Sequence, residues 1–115
     1  MLTDNPLPME IDCRATRAKL AAGDRDFVLI DCREQEEHTL VNIAGSVLMP
    51  MSQIEARVGE LEQYQDGHVV VHCHLGGRSL RVAQWLRGQG FSKAQSMAGG
   101  IDQWAVEINP SLARY

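Results

Sequence analysis

The stretch that decides the fold of this chain reads Val69-Val70-Val71-His72-Cys73-His74-Leu75-Gly76-Gly77-Arg78-Ser79. The three valines predict a buried strand, and the glycines predict a loop that opens a helix. Backbone N–H groups in such a loop point inward and, with the helix dipole, favour a negative charge. We therefore expect Cys73 to ionise well below the free-cysteine pKa of about 8.5, with Arg78 as a neighbouring cation. This pattern is typical of a cysteine nucleophile.

The rest of the chain alternates between short apolar runs and helical patterns. We predict strands at residues 9–11, 27–30, 47–48, 69–72 and 94–97. We predict helices at 12–22, 34–40, 52–66, 79–89 and around Trp104, with residues 109–115 lying along the surface. Such alternation indicates an α/β fold with a mostly parallel central sheet flanked by helices on both faces. Because ligands bind beyond the carboxyl ends of the strands in such sheets, Cys73 lies where a site is expected.

Helix ends are marked by particular residue types. Asp12 is positioned to cap the first helix, and Gly23 to end it. Ser52 and Glu55 have the spacing of a reciprocal capping pair, which predicts that a helix begins there. The buried face of that helix would carry Ile54, Val58 and Leu61.

The composition is that of one ordinary globular domain of 115 residues, 44% hydrophobic and 23% charged. The net charge of -4 argues against nucleic acid or an anionic membrane as a partner. The three cysteines form no C-x-x-C pair and no zinc-finger spacing, and their odd number is unlike a secreted disulfide framework, which favours a reducing compartment. Residues 1–10 lack the basic and apolar segments of a signal peptide, so we expect a cytoplasmic protein.

No metal or other cofactor is predicted. His72, Cys73 and His74 are adjacent, and successive side chains of a strand point to opposite faces. These three side chains therefore do not converge on one metal ion.

Residues 73–79 resemble the cysteine loop of single-domain members of the rhodanese family, C-x-x-G-x-R-S. Residues 31–38 resemble the family's D-V-R-x-P-x-E-[FY] segment, residues 43–46 part of its G-H-I-P-G-A segment, and residues 99–104 its G-G-x-x-x-W segment. The resemblance is strongest over residues 11–104 and implies a single rhodanese-like domain over 1–115, with 105–115 as a C-terminal tail. The departures lie outside the cysteine loop: Cys32 for valine, Gln35 for proline, His38 for an aromatic residue, Val41 and Asn42 for Gly-His, and Ala44 for proline.

The resemblance implies a sulfurtransferase that moves sulfane sulfur in two steps. Cys73 would attack thiosulfate or a persulfide donor, hold the outer sulfur as a persulfide, and pass it to cyanide or to a thiol, which can be small or on a protein. The residues implied to bind the anionic sulfur are those of the loop: His74, Leu75, Gly76, Gly77, Arg78 and Ser79. Arg78 would anchor either the loop or the charge of the donor.

Two alternatives to catalysed sulfur transfer remain. A phosphatase or arsenate reductase of the dual-specificity kind has five residues between its cysteine and arginine, whereas four separate Cys73 from Arg78. The shorter loop suits one sulfur atom better than a phosphate, whose charge is spread over several oxygens. The second alternative is a non-enzymatic sulfur carrier or protein-binding module, and the apolar Leu75 at the mouth of the loop is compatible with it.

Four further residues have open roles. Cys32 is either a packing residue in the core or a resolving thiol for a redox cycle. Asp31 and Arg33 follow a strand at the same sheet edge as Cys73, and they either form a structural ion pair or line the site. Arg81 is expected to be solvated.

Overall fold

A computed structural model describes residues 6–115, so the first five residues of the predicted domain lie outside the described part. Within it, five strands form one parallel sheet: β1 (Glu10–Ile11), β2 (Phe27–Asp31), β3 (Val47–Leu48), β4 (His68–His72) and β5 (Gln95–Met97). Their order across the sheet is β1-β5-β4-β2-β3. The two longest strands, β2 and β4, pair at the centre, from Phe27 with His68 to Asp31 with His72. The predicted parallel α/β fold is confirmed.

Among the described residues there are five α-helices: α1 (Cys13–Ala22), α2 (Gln35–Leu40), α3 (Ile54–Arg57), α4 (Gly77–Gly88) and α5 (Gly100–Glu107). Alternate residues of β2 and β4 pack into two separate apolar clusters, because successive side chains of a strand point to opposite faces. One cluster includes residues of α3 and α4, and the other includes residues of α1 and α5. The sheet is therefore covered on both faces, as continuous apolar strands require.

The first helix begins and ends as predicted. Asp12 Oδ1 accepts a hydrogen bond from the Ala15 N–H at 2.7 Å, and Gly23 follows the last turn with a φ of 68°. The helix predicted at residues 79–89 begins earlier, at Gly77, so that its first turn belongs to the cysteine loop. No helix in the described part of the chain is long and apolar enough to span a bilayer.

The prediction of one α-helix over residues 52–66 is wrong. Only α3 is α-helical there, and 3₁₀ segments precede it at Met51–Gln53 and follow it at Val58–Tyr64. Gly59 lies in the second of these segments, and glycine disfavours an α-helix by about 1 kcal/mol relative to alanine. The apolar spacing indicated a buried face correctly, since Ile54 and Leu61 are both in the core.

The capping contact predicted at Ser52 is also wrong. The Ser52 hydroxyl donates a hydrogen bond to the Glu34 carboxylate at 3.0 Å, so it is used to join two segments of the chain. The capping contact is made at α2 instead, where Glu37 Oε1 accepts a hydrogen bond from the Glu34 N–H at 3.1 Å. The contact with Glu34 thus takes up the hydroxyl that the predicted cap requires.

Candidate active site

Cys73 follows β4 directly, and the loop after it leads into α4. Gly76, the residue before α4, has a φ of 113°, in the left-handed region that glycine adopts without strain. Because the chain turns at Gly76, the first N–H groups of the helix point back towards the cysteine. The sequence pattern of strand, cysteine, glycines and helix therefore places a thiol at a helix N-terminus, as predicted.

The Cys73 sulfur is surrounded by hydrogen-bonding groups. Its Sγ accepts hydrogen bonds from the N–H of Gly76 at 3.1 Å and from the N–H of Ser79 at 3.3 Å. The Ser79 hydroxyl lies 3.4 Å from Sγ and 2.7 Å from the Ser96 hydroxyl, which holds it in place. These groups stabilise a sulfur that carries negative charge.

The pKa of Cys73 is lowered to about 4. The largest cause is a hydrogen bond with the Cys32 side chain; burial opposes it, and the Ser79 hydroxyl and the Ser79 and Gly76 amides lower the pKa further. The same hydrogen bond and burial raise the pKa of Cys32. Cys73 is the thiolate of this pair because it has the amide donors. At neutral pH the site therefore holds a charged Cys73 beside a protonated Cys32.

Gly100, the first residue of α5, allows this helix to approach the cysteine loop closely. Gly100 has a φ of 60°, and a β-carbon at this position would collide with the carbonyl oxygens of Cys73 and His74. The same close approach lets the Ile101 N–H donate to the Cys73 carbonyl at 2.9 Å and the Asp102 N–H donate to the His74 carbonyl at 3.2 Å. The first turn of α5 thus fixes the backbone of the cysteine loop.

Arg78 is held by an acidic residue of α2. Its Nη1 and Nη2 donate to the two carboxylate oxygens of Glu37 at 2.7 and 2.9 Å. The Arg78 hydrogen bonds lower the pKa of Glu37 to about 2, and the Glu37 carboxylate raises the pKa of Arg78. Of the two roles expected for Arg78, these contacts fit anchoring of the loop. Arg78 is also a cation near Cys73, since the charge of Cys73 is among the causes that raise the Arg78 pKa, but the thiolate is stabilised chiefly by hydrogen bonds.

Residues 109–115 lie along the surface, as predicted, but Tyr115 also covers the cysteine loop; residues 105–107, which were expected in the tail, form the last turn of α5. The Tyr115 ring stacks on His74, with ring centroids 3.9 Å apart and planes 9° apart. The Tyr115 hydroxyl donates to Glu37 Oε2 at 2.6 Å and accepts from Arg33 Nη1 at 2.9 Å. Sequence reasoning missed this contact, since a lone aromatic residue in a polar tail carries no signal of what it packs against.

Asp31 and Arg33 form a buried ion pair, with Arg33 Nη2 2.7 Å from Asp31 Oδ2. Burial is the largest single effect and raises the pKa of Asp31, but the hydrogen bonds from Arg33, the charge of His72 and the hydrogen bond with His38 together lower it more, so the net shift is downward. Arg33 also donates to the Val41 carbonyl at 2.7 Å, and His38 Nδ1 lies 2.8 Å from Asp31 Oδ2. These contacts fit the structural alternative for Asp31 and Arg33, which hold α2 in place.

An open cavity of about 340 Å³ lies over the sulfur, and it is lined by Cys73, His74, Leu75, Gly77, Arg78 and Arg81. Leu75 is 63% exposed at its mouth. A second cavity of about 460 Å³ shares Arg81 with the first and is lined by apolar residues that include Val82 and Trp85. Arg81 thus lines the site and is also exposed to solvent.

Among residues 6–115, no three His, Cys, Asp or Glu side chains cluster as a metal site requires.

These features define a class of domain: a parallel α/β sheet with a thiolate held in a glycine-containing loop at the start of a helix. The family model described as "Rhodanese-like domain" matches residues 14–107, and the chain belongs to this family.

The chain is similar to three proteins whose names include sulfurtransferase. The chain is 35% identical over 102 residues to the probable adenylyltransferase/sulfurtransferase MoeZ of Mycobacterium tuberculosis, covering 89% of the chain and 26% of MoeZ. It is 31% identical over 126 residues to the adenylyltransferase and sulfurtransferase MOCS3 of Arabidopsis thaliana, covering 96% of the chain and 27% of that protein. The human single-domain sulfurtransferase TSTD1 superposes with a TM-score of 0.73 at 25% identity, covering 87% of the chain and 97% of TSTD1. The chain thus spans about a quarter of the length of the two curated relatives.

Proposed function

We propose that this chain is a sulfurtransferase that carries sulfane sulfur on Cys73, taking it from thiosulfate or a persulfide and giving it to cyanide or a thiol. One observation carries the proposal: the Cys73 sulfur accepts two backbone N–H hydrogen bonds at the floor of an open cavity, with its pKa lowered to about 4. Most Cys73 is therefore nucleophilic thiolate at neutral pH. We also propose that residues 1–115 form one domain that works in the reducing cytoplasm, where its three free cysteines persist.

The reaction has two displacements at sulfur. The Cys73 thiolate attacks the outer sulfur of thiosulfate, the sulfur–sulfur bond of the donor breaks, and sulfite leaves with the electron pair. Cys73 then holds a persulfide anion. An acceptor nucleophile, cyanide or a thiolate, attacks the outer sulfur of this persulfide, and the Cys73 thiolate is the leaving group. The covalent intermediate divides one difficult transfer into two easier ones.

The loop residues contribute in different ways to this chemistry. The N–H groups of Gly76 and Ser79 stabilise the thiolate that is consumed in the first step and regenerated in the second. Arg81 lines the cavity and provides positive charge for an anionic donor. The exposed Leu75 offers an apolar contact to the carbon skeleton of an organic thiol. This last contact favours a thiol as the acceptor over cyanide alone.

The experiment is a thiosulfate:cyanide transfer assay on the wild type, Cys73→Ala and Cys13→Ser. Cys13 is also buried, but it packs against the opposite face of the sheet, so it is a matched control. We expect Cys73→Ala to lose transfer completely while it retains the far-ultraviolet circular dichroism of the wild type, and Cys13→Ser to keep near wild-type turnover. Transfer that persists in a folded Cys73→Ala protein would overturn the proposal.

A further inference from the structure

Cys32 and Cys73 lie side by side on the two central strands. The ladder between β2 and β4 ends at the pair Asp31 and His72, and the Cys32 N–H continues it with a hydrogen bond to the His72 carbonyl at 3.0 Å. Cys32 and Cys73, the residues that follow the two strands, are therefore neighbours on the same face of the sheet. Adjacent strands lie about 4.8 Å apart, within the usual Cα separation of roughly 4.4–6.8 Å for a disulfide.

The two side chains also share their surroundings. Both are buried in the same apolar cluster, and Cys32 is completely inaccessible to solvent. Cys73 is among the residues that line the open cavity, and Cys32 is not. The pKa is lowered for Cys73 and raised for Cys32, and each shift has the other thiol among its causes, which supports the proximity that the strand pairing gives. Cys13 belongs to the other apolar cluster, across the sheet.

We propose that Cys32 is a resolving thiol for the Cys73 persulfide, which gives this site a second activity, the release of hydrosulfide. The inference rests on the proposed function, because the persulfide is its substrate. Cys32 attacks Sγ of Cys73, the bond between Sγ and the outer sulfur breaks, and the outer sulfur leaves with the electron pair. The Cys32 sulfur forms a disulfide with Cys73 Sγ, and the Cys32 proton stays with the displaced sulfur as hydrosulfide.

The electrons balance without an added oxidant. The sulfane sulfur is reduced to hydrosulfide, and the sulfurs of the two cysteines are oxidised to the disulfide. A cellular dithiol or two monothiols then reduce the disulfide by exchange and restore the starting state. The surroundings fit this step, because Cys32 is enclosed in the core whereas the cavity that Cys73 lines is open to the departing hydrosulfide.

The step competes with transfer to an external acceptor. When an acceptor occupies the cavity, it reaches the outer sulfur directly and Cys73 is regenerated as a thiolate. When no acceptor is present, the internal thiol is the nearest nucleophile and the persulfide decays to the disulfide. Cys32 thereby determines which fate the bound sulfur takes, and in the disulfide state Cys73 accepts no more sulfur.

The test loads the wild type, Cys32→Ser, Cys32→Val and Cys13→Ser with thiosulfate, removes the excess donor, and follows the samples without an acceptor. Sulfide is trapped and quantified, and the proteins are alkylated and digested without reduction for mass spectrometry. We expect the wild type and Cys13→Ser to release sulfide in proportion to the persulfide lost and to yield a linked pair of peptides that contain Cys32 and Cys73. Both Cys32 variants should keep the persulfide roughly tenfold longer or more and release little sulfide.

The two Cys32 variants guard against a folding defect, because serine keeps the size of the side chain and valine keeps its apolar character. A parallel arm loads the same proteins with inorganic polysulfide. If neither donor places sulfur on Cys73, the proposed function fails and the resolving step fails with it. If the persulfide forms but decays to sulfide equally fast in the Cys32 variants, or persists in the wild type with no linked peptides, the resolving role of Cys32 is overturned while the sulfurtransferase proposal stands.

Discussion

Glu37 and Arg78 form a bidentate ion pair, with nitrogen–oxygen distances of 2.7 and 2.9 Å, that joins α2 to the first turn of α4. Both partners are largely shielded from water, with side-chain exposures of 22% and 34%. The Glu37 carboxylate balances the positive charge of Arg78 and fixes the orientation of its guanidinium group. The charge of the thiolate is stabilised chiefly by hydrogen bonds with Cys32, Ser79 and Gly76, and the ion pair serves the geometry of the site.

This arrangement predicts the order in which two residues of the loop, Ser79 and Arg78, affect the pKa of Cys73. Ser79→Ala removes the hydroxyl near Sγ, so it should raise the pKa of Cys73 more than Arg78→Ala, which removes a cation already paired with Glu37. The rate of alkylation by iodoacetamide as a function of pH measures both values. In the wild type this rate should fall as the pH drops through about 4, because only the thiolate reacts. A larger shift in Arg78→Ala than in Ser79→Ala would contradict this assignment.

Glu37 is expected to stabilise the fold in a pH-dependent way. Its pKa is about 2 in the folded chain, against about 4.3 when unfolded. A carboxyl with a depressed folded pKa contributes stability that is present above the unfolded pKa and is lost as the pH falls towards the folded pKa. Glu37→Gln should therefore lower the free energy of unfolding by about 1–2 kcal/mol at neutral pH, a value that allows for partial solvent screening.

Urea denaturation at neutral pH and at a pH near 3 checks the prediction for Glu37. The difference between Glu37→Gln and the wild type should shrink at the acidic pH, where the wild-type carboxylate begins to lose its advantage. Glu60→Gln, in the exposed pair with Arg57, is the matched control and should change little at either pH. An equal loss for Glu37→Gln at both pH values would show that the ion pair is not the source of the stability.

Tyr115 is expected to hold His74 and thereby the mouth of the loop. Tyr115→Ala removes the ring stacked on His74 and should cost about 1 kcal/mol of unfolding free energy. It should also raise the KM for thiosulfate a few-fold, since His74 lines the cavity. Tyr115→Phe keeps the ring and loses only the hydrogen bonds with Glu37 and Arg33, so its KM for thiosulfate should stay close to the wild-type value. If Tyr115→Ala has wild-type kinetics, the tail has no part in the site.

The length of the loop predicts selectivity against phosphate. Only four residues separate Cys73 from Arg78, and the N–H groups of Gly76 and Ser79 converge on a single atom. Phosphoryl transfer needs donors spread over three equatorial oxygens. The wild type should therefore hydrolyse an aryl phosphate negligibly, and one residue inserted between Gly77 and Arg78 should weaken persulfide formation. Hydrolysis through Cys73 that is faster than persulfide formation would favour the phosphatase alternative.

Local patterns in the sequence were sufficient for most of the fold. The valines of β4, the cap at Asp12 and the glycine that ends α1 act within a few residues, so their structural effect can be predicted from neighbours alone. The strand–loop–helix at Cys73 is of the same kind. The cap predicted at Ser52 is absent because the Ser52 hydroxyl bonds to Glu34, 18 positions earlier, and neighbouring residues do not reveal this tertiary contact.

The contacts that complete the site join residues far apart in the sequence. Arg78 and Glu37 are 41 positions apart, and Tyr115 and Glu37 are 78 positions apart. No periodicity relates such residues, and each contact depends on the strand order of the sheet. The proximity of Cys32 and Cys73 could not be predicted without the strand order either. Both residues follow strands, but only the pairing of β2 with β4 brings them together.

The most direct test of sulfur transfer by this chain is the intact mass of the reduced protein after brief exposure to thiosulfate and removal of the donor. We predict that the wild type, measured at once, gains the mass of one sulfur atom, that peptide mapping places it on Cys73, and that cyanide removes it as thiocyanate. Cys73→Ala should gain no mass under the same conditions. An unchanged wild-type mass, or an equal gain in Cys73→Ala, would contradict Cys73 as the carrier of sulfur.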